Sequence, residues 1–169
     1  AGASEAVLTA LTPKVSSLVA SDISAYVMIL DASGSMLETT SDGKTKWEIA
    51  KKAASELIQE IPEGLSMSVV IYGHDKNRAC EVEILRQLTP ITVSGKAEVI
   101  RRINAIEPVG KTPIGKSLHI ASGLVGKSRG LAKLLLITDG IETCDGDPVA
   151  EAKAFSIAEG SARSVDVIG

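Results

Sequence analysis

The chain has 169 residues, which is enough for one domain with a sizeable hydrophobic core. Its net charge of -3 and its aromatic content of only 2% provide neither a basic surface nor stacking platforms, so we expect no nucleic acid among its partners. Apolar runs stay well short of the roughly 18 residues that a membrane span needs, so we expect no membrane span in this chain.

Residues 1–22 form an N-terminal extension. Apolar residues recur there at helical spacing, but Pro13 interrupts the pattern. The segment is consistent with short helical turns that dock on the domain, and equally with a leader that continues from an upstream region. We assign residues 23–169 to the folded domain.

Apolar runs and helical patterns alternate beyond the extension. The expected elements are strand 24–30, helix 47–61, strand 65–72, strand 82–88, helix 97–107, helix 114–125, strand 133–138, helix 148–159 and strand 164–168. This alternation predicts an α/β fold, a Rossmann-like three-layer α/β/α sandwich with a mostly parallel central sheet. Residues 82–88 are expected to form one antiparallel edge strand.

The first strand ends abruptly in polar residues. The apolar run that begins at Tyr26 stops at Asp31, and two hydroxyls follow at Ser33 and Ser35. One carboxylate and two hydroxyls are thereby placed at the carboxyl end of a central strand, where open α/β sheets bind their ligands. Oxygen donors suit a hard divalent cation such as Mg²⁺. Taken alone, the same residues are also typical of an ordinary capped turn.

Two later segments add oxygen donors to the same edge of the sheet. Thr112 lies in a Gly-Lys-Thr-Pro sequence between two helical patterns, and Asp139 follows the predicted strand 133–138. A carboxylate and a hydroxyl from these segments favour a metal site over a simple turn. The candidate ligands are Asp31, Ser33, Ser35, Thr112 and Asp139.

These segments resemble, in type and order, the metal-ion-dependent adhesion site of von Willebrand factor type A domains. That pattern consists of Asp-x-Ser-x-Ser, a Thr in a Gly-x-Thr context and an Asp in a Thr-Asp-Gly context, and all three occur here. The resemblance implies that Ser33 and Ser35 bind the metal directly. It implies that Thr112 and Asp139 bind directly or through water, and that Asp31 binds through water. The implied ion is Mg²⁺, with Mn²⁺ or Ca²⁺ as alternatives.

The resemblance covers residues 24–169, and segments 72–74, 110–114 and 139–144 look most like those of bacterial members. It implies a module for adhesion or protein recognition, in which the ion captures an Asp or Glu carboxylate of a partner protein. It implies no enzyme activity. Family members usually continue through another strand and a final helix, so we expect this domain to be truncated at its C-terminal end.

Two alternatives use the same open metal site. A Mg²⁺-dependent hydrolase needs a general base, and none is evident beside the ligand pattern, although Glu142 and Asp145 are carboxylates nearby in sequence. A nucleotide-binding loop needs a glycine where the chain has Ala105, and a strand before the loop where a helix is predicted. We therefore expect an interaction module rather than an enzyme.

Both cysteines, Cys80 and Cys144, fall in predicted loops after strands that run toward the candidate metal site. An even number of cysteines in loops is consistent with a disulfide. A disulfide favours an extracytoplasmic protein, whether periplasmic, on the cell surface or secreted. Two free thiols that never meet are the alternative, because the sequence does not give the distance between them.

Overall fold

The computed structural model describes residues 23–126, 131–156 and 163–169. The extension 1–22 and the end of the predicted helix 148–159 lie outside the described residues. Within those residues, the strands are β1 (Ile23–Asp31), β2 (Ser66–Tyr72), β3 (Val82–Pro90), β4 (Leu131–Ile137) and β5 (Arg163–Ile168). The helices are α1 (Lys46–Glu60), α2 (Val93–Asn104), α3 (Ile114–Val125) and α4 (Pro148–Ser156), and a 3₁₀ turn (Gly34–Leu37) follows β1. No helix in the described ranges is long and apolar enough to cross a membrane.

Strand β1 lies at the centre of a five-stranded sheet with the order β3-β2-β1-β4-β5. It pairs in parallel with both β2 and β4, β5 pairs in parallel with β4, and β3 pairs antiparallel with β2 at the edge. This confirms the predicted mostly parallel sheet with one antiparallel edge strand. Because β1, β2 and β4 are parallel, their carboxyl ends meet at one edge of the sheet, called the carboxyl edge below.

Helices cover both faces of the sheet, which confirms the three-layer sandwich. On one face, Tyr26, Met28 and Leu30 of β1 pack in a core with α1 and α2. On the other face, Val27 and Ile29 pack in a second core with α3 and α4. β1 is therefore buried on both faces, which explains why its sequence is a continuous apolar run rather than an alternating one.

Helix α1 begins at a complete capping box. The Thr45 hydroxyl accepts a hydrogen bond from the Glu48 N–H at 3.0 Å, and the Glu48 carboxylate accepts one from the Thr45 N–H at 2.7 Å. Trp47 in the first turn is buried, and its indole N–H donates to the Ile106 carbonyl at 3.1 Å. The first turn is thus fixed both by its cap and by core packing.

Helix α2 begins four residues earlier than predicted. The Thr92 hydroxyl caps it by accepting a hydrogen bond from the Gly95 N–H at 3.0 Å. The apolar pattern starts only at Val99, because the first turn has no buried apolar side chain: its buried residue is Gly95, and Val93 is 66% exposed. The helix ends at Asn104, so the segment that follows connects two helices.

Four connections lie near the carboxyl edge and are named here. The Asp31 loop comprises residues 31–37, the Gly73 loop 73–81, the Thr112 loop 105–113 and the Asp139 loop 138–147. The Asp31, Gly73 and Asp139 loops follow parallel strands, whereas the Thr112 loop follows α2. The candidate ligands come from the Asp31, Thr112 and Asp139 loops.

Candidate metal centre

Asp31 is the last residue of β1 and is completely buried. Its Oδ1 accepts a hydrogen bond from the Ser33 N–H at 2.8 Å, and its Oδ2 accepts one from the Thr138 hydroxyl at 2.6 Å. Both carboxylate oxygens are thereby satisfied, as a buried charge requires. Asp31 lies within the strand, whereas its sequence context suggested a turn.

The Thr138 hydroxyl connects Asp31 to the strands on either side of β1. It donates to Asp31, and it accepts from the Tyr72 hydroxyl at 3.2 Å and from the Gly140 N–H at 3.1 Å. Burial, and then the nearby Asp31 carboxylate, raises the pKa of Tyr72, so its phenol stays protonated and acts as a donor. The sequence could indicate these hydrogen bonds only through the position of the two residues, because Tyr72 is the last residue of β2 and Thr138 follows β4.

Three candidate ligands form a connected row. The Ser33 and Ser35 hydroxyl oxygens are 3.2 Å apart, and the Ser35 hydroxyl donates to Oδ1 of Asp139 at 3.1 Å. Ser33 is buried at the start of the 3₁₀ turn that contains Ser35. Because Asp31 accepts the Ser33 N–H, four of the five candidate residues belong to one hydrogen-bonded set.

Lys46, the first residue of α1, brings an ammonium group to this set. Its Nζ donates to Oδ2 of Asp139 at 2.8 Å and to Oε2 of Glu38 at 2.7 Å. The hydrogen bond with Asp139, followed by that with Glu38, raises the pKa of Lys46, so the charged form persists through the neutral range. The spacing of residues does not reveal this contact, since Lys46 and Asp139 are far apart in sequence.

Thr112 lies beside the hydrogen-bonded set, next to Gly140. A Cβ atom on Gly140 would lie 3.4 Å from the Thr112 hydroxyl oxygen and 3.5 Å from Oδ2 of Asp31. Thr112 is 5% exposed. The structure therefore brings all five candidate residues to the carboxyl edge, four of them joined by hydrogen bonds and Thr112 adjacent to them.

Gly73 holds the Asp31 loop against the Thr112 loop. Its φ is +78°, and a Cβ atom there would lie 2.4 Å from the backbone nitrogen of Ser33, so this position requires glycine. The Gly73 carbonyl accepts from the N–H groups of Gly110 at 2.7 Å and Val109 at 3.0 Å. The Gly34 N–H in turn donates to the Gly110 carbonyl at 3.0 Å. The sequence pattern alone gave no indication of this contact.

Backbone contacts from two neighbouring loops hold the Thr112 loop. The Thr143 hydroxyl accepts a hydrogen bond from the Thr112 N–H at 2.8 Å, and the Thr143 N–H donates to the Thr112 carbonyl at 3.1 Å. The Lys111 N–H donates to the Ala79 carbonyl at 3.2 Å. The backbone of the candidate ligand Thr112 is thus fixed from both the Asp139 loop and the Gly73 loop.

Cys80 and Cys144 form a disulfide in the structure, with Cα atoms 5.8 Å apart. Of the two alternatives left open by the sequence, the structure has the bonded pair. The bond connects the Gly73 loop to the Asp139 loop. These are the same two loops that contact Lys111 and Thr112.

Glu142 directs its carboxylate to backbone N–H groups. Oε1 accepts from the Gly115 N–H in the first turn of α3 at 2.8 Å, and Oε2 accepts from the Cys144 N–H at 3.0 Å. A Cβ atom on Gly146 would lie 2.2 Å from Oε1, so the lack of a side chain there makes room for the carboxylate. Glu142 is therefore not the free general base that a hydrolase would need.

A model of the von Willebrand factor type A domain matches residues 26–142, which include every candidate ligand and make up more than half of the chain. The chain belongs to the von Willebrand factor type A domain family. The type A fold of this chain is the three-layer sandwich described above. Membership in this family points to a non-catalytic interaction module.

One bacterial relative and two solved structures resemble this type A domain. The uncharacterized protein YwmC of Bacillus subtilis (strain 168) is 32% identical over 133 residues, which are 75% of this chain and 58% of YwmC, so the chain spans less than two thirds of that relative. An aerotolerance-related membrane protein from Bacteroides fragilis NCTC 9343 is 24% identical with a TM-score of 0.63, over 85% of this chain and 65% of that one. The vWF domain of the type V pili tip protein Mfa5 from Porphyromonas gingivalis is 21% identical with a TM-score of 0.56, over 72% of this chain and 39% of that one. Both structures have the same fold as this chain.

The side-chain atoms of the candidate metal ligands that could bind an ion are all oxygens. Among the described residues, no three His, Cys, Asp or Glu side chains come together as a metal site. The candidate set instead combines two carboxylates with hydroxyl groups. Mg²⁺ commonly uses one or two carboxylates and retains several waters, so this donor set is compatible with it. The residues present therefore fit a hard divalent cation better than a soft one.

Proposed function

We propose that this type A domain is an adhesion or protein-recognition module that binds Mg²⁺, or alternatively Mn²⁺ or Ca²⁺, and captures an Asp or Glu carboxylate of a partner protein. In this proposal Ser33 and Ser35 bind the ion directly. Thr112 and Asp139 bind it directly or through water, and Asp31 binds it through water. The family match supports an interaction module.

The observation that carries the proposal is the row of Ser33, Ser35 and Asp139, in which the hydroxyl oxygens are 3.2 Å apart and the Ser35 hydroxyl is 3.1 Å from Asp139. Both oxygens of Asp31 are already engaged by Ser33 and Thr138, which supports a contact with the ion through water. Hydroxyl ligands are neutral, so an ion held mainly by them keeps most of its charge for an incoming carboxylate.

Exposed apolar residues on the site loops support contact with a protein. Leu37 of the Asp31 loop is 52% exposed, Val109 of the Thr112 loop 45%, and Ile141 of the Asp139 loop 84%. All three lie on loops of the carboxyl edge, and apolar residues exposed beside a binding site are available for contact with a partner. We propose that they contact the residues that flank the captured carboxylate.

The two alternative functions have less support. Glu142 is bound to backbone N–H groups, and Asp31 and Asp139 are engaged within the site, so none of these three carboxylates is free to act as a general base. Asp145, the other carboxylate nearby in sequence, is exposed to solvent, and among the described residues no hydrogen bond joins it to a candidate ligand. A phosphate-binding loop follows a strand, whereas the Thr112 loop follows α2. Binding without turnover is the function that this geometry favours.

We further propose an extracytoplasmic location, in the periplasm, on the cell surface or after secretion. The Cys80–Cys144 disulfide supports this location, because disulfides persist mainly in oxidising compartments. Proteins that share this fold include a pilus tip protein and a membrane protein.

Selection from a random peptide library displayed on phage tests the function. The immobilised domain is exposed to the library in Mg²⁺, and bound phage are eluted with EDTA. We expect the selected peptides to share an Asp or Glu residue and to lose binding when it becomes Asn or Gln. They should also fail to bind a Thr112→Val domain but bind a Ser156→Ala control, which loses a hydroxyl in α4 outside the site. Selected peptides that share no acidic residue, or that bind the Thr112→Val domain as tightly as the wild-type domain, would contradict the proposal.

A further inference from the structure

Thr112 differs from the other proposed ligands in what supports it. Asp31, Ser33 and Ser35 lie at or just after the end of β1, and Asp139 follows β4. Thr112 lies between the helices α2 and α3, so no strand leads into its loop. The position of its hydroxyl therefore depends on contacts with neighbouring loops.

Those contacts fix the Thr112 backbone from two loops. Thr143 of the Asp139 loop exchanges two hydrogen bonds with Thr112, at 2.8 and 3.1 Å. The preceding residue, Lys111, donates its N–H to Ala79 of the Gly73 loop at 3.2 Å. The pair Lys111 and Thr112 is thus attached to both loops.

The disulfide joins these two loops directly beside the contacts. Cys80 is next in sequence to Ala79, and Cys144 is next to Thr143. The covalent bond limits how far the two loops can separate, and so protects the hydrogen bonds to Thr112 from local opening and competition by water. The disulfide and these hydrogen bonds hold the Thr112 backbone from two sides. We call them together the Thr112 brace.

Glu142 ties the Thr112 brace to helix α3. Its carboxylate joins the Gly115 N–H, in the first helical turn after Thr112, to the Cys144 N–H of the disulfide. A negative charge at a helix N-terminus is favourable, and the carboxylate also satisfies donors that the helix leaves unpaired. The start of α3 is thereby held at a fixed place relative to the disulfide.

We propose that the Cys80–Cys144 disulfide, Thr143 and Glu142 are positioning residues for Thr112, so that the affinity for Mg²⁺ depends on an intact disulfide. This inference rests on the proposed function, because it requires Thr112 to take part in binding Mg²⁺. Groups that orient metal ligands from outside typically change metal affinity by about 10–100-fold when they are altered.

Titration calorimetry of metal-stripped protein with Mg²⁺ tests the role of Thr143. Thr143→Val removes the hydroxyl that accepts the Thr112 N–H, and we expect a dissociation constant about tenfold higher. Thr143→Ser keeps the hydroxyl and should bind Mg²⁺ like the wild-type protein. Equal affinity of the Val and Ser variants, both measured where they are fully folded, would overturn the role of Thr143.

A matched pair of carboxylate variants tests Glu142 in the same titration. Asp147 lies in the same loop, and its carboxylate accepts the Ala150 N–H at 3.0 Å at the start of α4. Glu142→Ala and Asp147→Ala therefore remove the same charge and a comparable cap. We expect Glu142→Ala to weaken Mg²⁺ binding by about tenfold and Asp147→Ala to change it much less. Equal losses would show that only net charge matters and would contradict the proposal.

Removal of the disulfide tests the Thr112 brace as a whole. Reduction by a phosphine breaks the S–S bond and leaves two thiols, while the phosphine takes oxygen from water and becomes its oxide. We expect the reduced protein and a Cys80→Ser, Cys144→Ser variant to bind Mg²⁺ about tenfold more weakly. If the reduced protein, Thr143→Val and Glu142→Ala all keep wild-type affinity, the inference is wrong while the proposed function stands. If the intact wild-type protein binds no Mg²⁺, both fail.

Discussion

The Asp31 loop and the Thr112 loop reach the same site by different means. The Asp31 loop continues the central strand: the Ala32 N–H donates to the Tyr72 carbonyl at 2.8 Å, and the buried Asp31 carboxylate accepts two hydrogen bonds. The Thr112 loop joins two helices, and Thr143 and a disulfide-linked pair of loops hold it from outside. One loop is thus built into the sheet, while the other is attached to its neighbours.

This difference predicts which changes reduce the free energy of unfolding and the affinity for Mg²⁺ together, and which reduce the affinity alone. Changes in the Asp31 loop leave buried polar groups without partners next to the core, so they should reduce both properties. The hydrogen bonds that hold Thr112 in place use its backbone, so changes at its side-chain hydroxyl should mainly reduce affinity.

The largest expected effect is at Gly73, where the two loops meet. Gly73→Ala places a Cβ atom 2.4 Å from the Ser33 nitrogen at a φ of +78°. We expect the free energy of unfolding to fall by about 3 kcal/mol or more, measured by urea denaturation. Gly43→Ala is the control, because Gly43 has a φ of +82° but nothing within 4 Å of the added atom. Its loss should be only about 1 kcal/mol, and equal losses would contradict a role for Gly73 in joining the loops.

The next prediction compares one ligand from each loop. Asp31→Ala leaves the buried Thr138 hydroxyl and the Ser33 N–H without their acceptor, so we expect about 2 kcal/mol less stability. Thr112→Val keeps the shape of the side chain and the backbone hydrogen bonds, so it should change stability by less than about 1 kcal/mol. Both variants should bind Mg²⁺ weakly in titration calorimetry. Similar stability losses for the two variants would refute the contrast between the loops.

A smaller effect is expected at Lys46, whose ammonium group lies 2.8 Å from Asp139. Lys46→Met removes a positive charge beside a proposed ligand, and a charge at this distance changes the local energy by about 1 kcal/mol in water. We therefore expect Mg²⁺ to bind about fivefold more tightly. Lys52→Met is the control, since Lys52 pairs with Glu56 on the same helix away from the site. Weaker binding by Lys46→Met would show instead that Lys46 orients Asp139.

The smallest effect concerns Glu48, which lies outside both loops and caps α1. Its hydrogen bonds with Thr45 lower the pKa of Glu48 from 4.5. Because the folded state has the lower pKa, the stabilisation is present above that value and is lost as the pH falls through the folded pKa. Thermal melts should therefore show Glu48→Gln less stable than the wild-type protein near pH 7, with a smaller difference near pH 3. A difference that is the same at both pH values would rule out this linkage.

The sequence predicted the sheet and part of the site because both depend on strand ends. The apolar run of β1 identified a central strand buried on both faces. Asp31, Ser33, Ser35 and Asp139 could be placed together because they follow parallel strands, whose carboxyl ends meet. Thr112 follows a helix, so the rule for strand ends did not apply to it; its hydroxyl in a loop between two helical patterns made it a candidate, and the resemblance to the type A family supplied its role.

The rest of the site depends on contacts between distant parts of the chain. Lys46, Gly73 and Thr143 act on residues many positions away, and no local spacing indicates such pairings. The cap at Thr92 was likewise outside the apolar pattern that marked α2. Periodicity shows which face of an element is buried, but it does not show which loops touch.

The most direct test of the metal site is isothermal titration of EDTA-stripped protein with Mg²⁺. The wild-type protein is compared with a Ser33→Ala, Ser35→Ala variant, and Ser156→Ala serves as a control for loss of a hydroxyl outside the site. We predict saturable binding at one site for the wild-type and control proteins and no binding for the double variant. Equal binding by the double variant, or no binding by the wild-type protein, would contradict the proposed site.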